Sequence, residues 1–285
     1  MPPVFPPHDI LVLDGPLGTE LERRGLPLPA PAWSARALTD APELLLAIHR
    51  DYAAAGAEVH TAATFRTTAR ALRDTPWAAE WAALARKAVT IARRGAAGRG
   101  RVAGSIAPLE DCFSPELTPE DAALETEHRA LAEVLADAGA ELLLVETMPT
   151  LRELLAAVRA AVATGLPVWA ALTLGPRGDF FSAAEVRQAH RLCGELGADV
   201  LLLNCSAPES ISAALAAAFP QGVPAQGPAL GAYANDLFGR SGAWTPPRYA
   251  AQAREWLAAG VTVVGGCCGM GPPHVAALAE LRDAR

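Results

Sequence analysis

At 285 residues, 51% of them apolar and with a net charge of −7, the chain is long enough for one large α/β domain and rich enough for its core. No basic stripe with interleaved aromatics runs through it, which excludes nucleic acid as an expected partner, and no window of about 20 apolar residues offers a membrane span. Five cysteines, an odd number, argue for free thiols or metal over a disulfide framework.

The opening "MPPVFPPHD" has neither a basic start nor an apolar h-region, so it is not read as a signal peptide and the chain is expected to be cytoplasmic. From there, short apolar runs alternate with longer Ala/Leu/Arg/Glu stretches. The runs lie at 9–15, 57–64, 101–108, 140–147, 166–174, 198–205, 229–235 and 260–268. Most are continuous, as expected for parallel strands covered on both faces. Between them, 40–56 reads as a helix with Asp40 as N-cap and Pro42 in its first turn, and 117–139 as one with Thr118 as cap. A third helix is read over 181–197. Gly56, Gly139, Gly197 and Gly260 each stand between a helix and the following strand. Eight strand–helix units in this length predict a single-domain (β/α)8 TIM barrel over residues 1–285. An open doubly wound sheet would carry a GxGxxG turn after its first strand, and that turn is missing.

In such a barrel the site lies at the C-terminal strand ends. Reading those ends gives Asp14, Thr64, Glu146 with Thr147, Asn204 with Cys205, Asn235 with Asp236, and Cys267 with Cys268. Cys205 closes strand six and the Cys267–Cys268 pair closes strand eight, so three sulfurs can meet at one mouth. Any one cysteine could be a buried small apolar residue, and Cys112 and Cys193 are read that way. Three at matched strand ends point instead to an ion. Thiolates favour zinc over magnesium or calcium, and three protein ligands leave a fourth position open, the mark of a catalytic site. Glycines 265, 266 and 269 are expected to let the backbone bend and aim both adjacent thiols inward. Asp14 and Glu146 are either helix-capping acids or an anionic pocket for an ammonium group. His60 and His49 are read as structural.

The strings "DGPLGTELERRG" (14–25), "WSARAL" (33–38), "AGAEVHTAATF" (55–65), "AGSIAP" (103–108), "VETMP" (145–149), "LLNCS" (202–206), "GAYAN" (231–235) and "VGGCCGMGPPHV" (264–275) occur in this order. Together they resemble the homocysteine S-methyltransferase family over essentially the whole length. The resemblance implies a zinc-bearing barrel that methylates homocysteine to methionine, an EC 2.1.1 activity. It places Cys205, Cys267 and Cys268 at the zinc and Asp14 and Glu146 around the amino group of homocysteine. Gly15, Thr64 and Asn235 complete the expected substrate contacts. A metal-bound thiol is deprotonated where a free one, with a pKa of about 8.5, is not, so no general base is needed.

Two departures from the family pattern stand out. Ala62 and Ala63 occupy places where many relatives carry Asn or Thr, and Pro16 has no N–H to offer a substrate. Cobalamin-dependent methionine synthases append further domains to a similar barrel, and with an end at residue 285 the donor here is expected to be a small diffusing molecule. "WSARAL" looks more like the branch that uses S-methylmethionine. S-methylmethionine or S-adenosylmethionine is therefore the expected donor, with betaine, or another small thiol as acceptor, as the alternative. A zinc- or thiol-binding barrel without catalysis and a metal-free barrel lyase are the rival classes. Oligomeric state leaves no mark in the sequence.

Overall fold

A computed structural model describes residues 10–224, 226–236 and 244–284; the opening segment read above as no signal peptide lies outside them. Eight parallel strands form one sheet: β1 (Leu11–Val12), β2 (Val59–Thr61), β3 (Arg101–Ile106), β4 (Leu142–Met148), β5 (Val168–Thr173), β6 (Val200–Asn204), β7 (Ala229–Ala234) and β8 (Val263–Gly266). Neighbours pair in sequence order, and β8 pairs in parallel with β1, Leu11 against Val263. A Leu13–Val59 bridge joins the first strand to β2 and completes the circle. The protein is a single (β/α)8 TIM barrel. Each strand is followed by at least one helix, from Leu17–Arg23 after β1 to Pro272–Asp283 after β8.

Alternation along the strands separates two cores. Leu13, Val59, Leu142, Leu144, Trp169, Val200, Leu202 and Val263 fill the barrel interior. Residues one position away, such as Leu143, Val145, Ala170 and Leu201, face the helices. This period of two is what a pleated strand imposes. Continued to the C-terminal ends of the strands, the inward register reaches Thr61, Ser105, Glu146, Thr173, Asn204 and Tyr233, all buried except Thr61, which is partly so. The upper layer of the barrel is therefore polar where the lower layers are apolar.

The four glycines read as helix-to-strand punctuation all have a left-handed backbone, with φ between 84° at Gly139 and 101° at Gly197. Two expected helix starts move. Asp40 closes a short helix, Ala37–Asp40, and its carboxylate pairs with Arg36 at 2.6 Å; the helix Pro42–Ala54 begins after Ala41. The third-strand helix begins at Asp121 rather than beside Thr118, because a 3-10 turn over Pro115–Leu117 takes up the intervening chain and Arg152 binds the Thr118 carbonyl. The helix Ala183–Leu196 starts within the expected range and carries a full capping box between Ser182 and Glu185. Among the described residues no helix is long and apolar enough to cross a membrane.

Candidate metal and substrate site

Cys205, just past β6, and Cys267 and Cys268, just past β8, bring their three Sγ atoms within 4.8 Å of one another. All five cysteines are unbridged. Around a tetrahedral zinc with Zn–S bonds of about 2.3 Å, thiolate sulfurs stand roughly 3.8 Å apart, so the cluster matches one ion, and an all-sulfur donor set selects zinc over hard cations. The backbone works to make this convergence. Cys205 has φ +47°, a conformation that costs a non-glycine residue about 1–3 kcal/mol and tends to mark functional positions. Its N–H is held by the Tyr233 carbonyl at 3.2 Å and its carbonyl by the Thr173 hydroxyl at 3.2 Å. The Asn235 side-chain amide donates to Cys205 Sγ at 3.5 Å. Hydrogen bonds from Cys205 and then Cys267 hold the Cys268 thiol well below its ordinary pKa, whereas its hydrogen bonding to Cys205 and then Cys268, together with burial, pushes Cys267 well above. A metal bound by the three sulfurs would take the place of their protons.

The glycines around the pair act differently from expectation. Only Gly269, with φ +86°, needs the left-handed region. A Cβ at Gly265 would stand 2.7 Å from Leu13 Cβ and one at Gly266 2.6 Å from the Met270 carbonyl oxygen, so these two permit close approach of neighbouring chain instead of a bend.

Two buried carboxylates face the same mouth. Asp14 accepts the Thr61 N–H at 2.8 Å and the Thr61 hydroxyl at 2.9 Å. Glu146 accepts the Ser105 hydroxyl at 2.5 Å on one oxygen and the Tyr233 hydroxyl at 3.1 Å on the other. Neither acid pairs with an arginine, lysine or histidine among the described residues. Burial pushes Glu146 up to about 7, against the pull of its two hydroxyl donors. Burial likewise raises Asp14 well above the carboxylate range, opposed by the Thr61 contacts and reinforced by the nearby Glu146 charge. Two buried carboxyl groups with no cationic partner, each made reluctant to ionise by burial, form a site that gains from a cationic guest.

Both clusters open into one cavity of about 590 Å³, lined by Asp14, Glu146, Tyr233 and the three cysteines at its floor and by Trp33, Phe65 and Phe113 nearer its rim. The size suits one or two small molecules. The sequence model of the homocysteine S-methyltransferase family matches residues 11–282.

The chain belongs to this family. It is 33% identical to a homocysteine S-methyltransferase of Escherichia coli (strain K12), with 95% of this chain and 94% of the relative aligned. It is 28% identical to betaine–homocysteine S-methyltransferase 1 of Bos taurus, over 95% of this chain and 72% of the relative. The crystal structure of the homocysteine methyltransferase MmuM from Escherichia coli in its metallated form superposes with a TM-score of 0.79 at 31% identity, covering 96% of each chain.

As a member of the homocysteine S-methyltransferase family, the chain brings some of the sequence-predicted residues together and sets others apart. Cys205, Cys267, Cys268, Asp14, Glu146 and Gly15 all line the cavity. Thr64 does not: its hydroxyl donates to the Ser105 carbonyl at 2.7 Å and accepts the Ser105 N–H at 3.0 Å, so it braces β2 against β3. Asn235 is also absent from the lining; it reaches Cys205 instead of the space a substrate would fill. Cys112, read above as merely apolar, is buried but stands in the cavity wall. Neither His60 nor His49 lines the cavity: His60 is bonded through Nε2 to the Arg99 carbonyl, and His49 is fully buried.

Thr61, Ser105 and Tyr233 were not singled out in the sequence, yet they hold the two acids. Their signal is parity: each is the polar residue at an inward position of an otherwise apolar strand. Replacing Tyr233 by Phe removes one O–H donor to a buried carboxylate, an interaction worth about 1.5–3 kcal/mol. The KM for homocysteine is expected to rise roughly 10- to 100-fold in steady-state assays, with kcat at saturation little changed.

Gly15 has a packing reason as well as a place in the wall. A Cβ there would lie 2.7 Å from the Met270 carbonyl oxygen and 2.7 Å from the Tyr52 ring, and Tyr52 is fixed by its bond to the Pro16 carbonyl at 2.9 Å. Gly15→Ala is expected to destabilise the fold by about 1–3 kcal/mol, read as a lower midpoint in urea with an unchanged m-value.

Proposed function

We propose that this chain transfers a methyl group from a small carboxylated onium donor, S-methylmethionine or S-adenosylmethionine first and betaine second, to homocysteine, giving methionine. The single observation that carries this reading is the meeting, in one cavity, of a three-thiol cluster with two uncompensated carboxylates. An amino-acid thiol carries the two complementary groups, a sulfur and an ammonium.

In this reading Cys205, Cys267 and Cys268 hold a zinc ion, whose fourth position would supply Lewis-acid chemistry that keeps a substrate thiol deprotonated at neutral pH. Asp14 and Glu146 bind the ammonium of homocysteine, and Thr61, Ser105 and Tyr233 keep those carboxylates aimed. Asn235 steadies Cys205. The cavity walls exclude water and hold the acceptor sulfur and the donor methyl close, where orientation accounts for much of the acceleration. The sulfur–methyl bond forms as the donor's own bond to that methyl breaks. The bonding pair leaves on the donor heteroatom, which becomes neutral, and the thiol proton passes to solvent. Residues 1–285 act as one homocysteine-binding barrel.

The test is methionine formation from homocysteine with each of the three donors, run on zinc-loaded protein, on protein stripped by a chelator, and on stripped protein given zinc again. Transfer with at least one donor, lost on stripping and restored by zinc, is the expected result. Zinc-loaded protein that forms methionine from none of them overturns the reading in favour of a binding barrel without catalysis.

A further inference from the structure

Three arginines line the cavity, and two of them are committed to carboxylates. Arg70 pairs with Glu110 at 2.8 Å and with Glu127 at 2.5 Å; Arg73 pairs with Asp74 at 3.4 Å and approaches Glu110 at 3.8 Å. Arg66 is the exception. Its guanidinium lies over the Phe65 ring, 5.5 Å from the centroid, and Phe65 is itself packed edge-on against Trp33 with centroids 5.8 Å apart. Its one hydrogen bond, at 3.4 Å, goes to the Glu110 backbone carbonyl. Among the described residues it has no carboxylate partner. Arg66 is also only partly exposed, and the aromatic face beside its guanidinium favours that placement.

We propose that Arg66 anchors the carboxylate of the methyl donor, and so restricts the donor class to onium compounds that bear a free carboxylate. This rests on the methyl-transfer reading above. In that reading the acceptor's sulfur is taken by the cysteine cluster, of which Cys205 is buried and Cys267 and Cys268 partly so, and its ammonium by the buried Asp14–Glu146 pair. In-line displacement requires the donor heteroatom on the far side of the methyl from that sulfur, hence towards the rim. Arg66, Trp33 and Phe65 line the cavity and are partly exposed, unlike the buried acids, which puts them on its solvent side. A planar guanidinium binds a carboxylate through two parallel N–H donors, while the aromatic faces receive the onium charge. Pro16, Ala62 and Ala63, which also line this cavity, offer no side-chain polar group and, at Pro16, no N–H. Among the described residues this leaves Arg66 as the cationic side chain of the lining without a carboxylate partner.

The experiment pairs each donor with its methyl ester, which keeps the onium group and masks the carboxylate. Steady-state rates are measured for wild type, Arg66→Gln and Arg66→Lys. With whichever donors turn over, the wild type is expected to lose about 10- to 100-fold in kcat/KM on going from acid to ester, the range of a charge-assisted hydrogen bond. Arg66→Gln is expected to lose the same factor with the acid, in donor KM and not in kcat, and to lose nothing further with the ester. Arg66→Lys recovers part of the loss, and the KM for homocysteine stays put in all three. Equal losses with acid and ester in Arg66→Gln would show that Arg66 merely packs the rim, and a rise in homocysteine KM would move it to the acceptor. Either result overturns the proposal. A wild type that uses no donor, acid or ester, fails the transfer reading itself and this proposal with it.

Discussion

Cys205→Ser, Cys267→Ser and Cys268→Ser are each expected to strip the protein of its metal and of nearly all methyl transfer. Structural zinc sites bind with roughly 10–16 kcal/mol; shared among four ligands, each ligand is worth about 2.5–4 kcal/mol, or roughly 60- to 700-fold in affinity. The measurement is zinc stoichiometry after dialysis against a competing chelator, followed by the rate of methionine formation. The three substitutions are expected to cost about the same, because each removes one vertex of a single coordination shell. Folding is a separate matter. Cys193, buried on the helix Ala183–Leu196 away from the cavity, provides the comparison: Cys193→Ser is expected to affect stability and leave metal content intact. A Cys205→Ser protein that retains one zinc per chain would break the assignment of the cluster.

The second large effect concerns the two acids. Asp14→Asn and Glu146→Gln each leave a substrate ammonium facing one carboxylate instead of two. Breaking a buried charge pair costs about 3–5 kcal/mol; with the second acid still present, a rise in homocysteine KM of roughly a hundredfold is expected at pH 8. The pH profile then distinguishes the two. Glu146 binds an ammonium only as the carboxylate, and burial has pushed it up to about 7. Below that pH the free enzyme carries a proton there, so kcat/KM for homocysteine is expected to fall as pH drops through about 7. Glu146→Gln is expected to change the shape of that acidic limb, leaving the part due to Asp14, which burial also raises, while lowering the plateau. The same shift bears on stability. The folded protein holds this proton more tightly than the unfolded chain, whose value is near 4.5, so the ligand-free protein loses stability as pH rises from about 4.5 to about 7. Urea midpoints measured across that window test the sign, and Glu146→Gln is expected to lessen their slope, Asp14 supplying the remainder.

Much of this was legible before any coordinates. The eight apolar runs are the eight strands, because a strand covered on both faces must be apolar throughout, and Gly139 and Gly197 fall at left-handed turns that few other residues adopt. Cys205, Cys267, Cys268, Asp14 and Glu146 share one cavity as strand-end position implied. What escaped is equally physical. A continuous apolar run does not display which of its residues point inward, so Thr61, Ser105 and Tyr233 were hidden among their neighbours. Thr64 and Asn235 looked like pocket residues by position along the chain, but one hydroxyl is satisfied by the next strand's backbone and the other side chain turns to a sulfur. Helix starts were less legible still. Asp40 has the chemistry of a cap, but Arg36, four residues earlier on a helical turn that the sequence did not announce, competes for its carboxylate.

The closure of the barrel carries one more consequence. Two of the three clustered sulfurs follow the last strand, which pairs with the first, and the Gly269 N–H reaches the Thr19 hydroxyl across 250 residues of sequence. The thiol cluster itself draws on the ends of β6 and β8, joined through β7, but the loop that carries Cys267 and Cys268 is tied to the first helix by that bond. Contacts of such sequence separation form late in folding. An ion held by Cys267 and Cys268 is therefore expected to steady the closing seam of the barrel as well as the site.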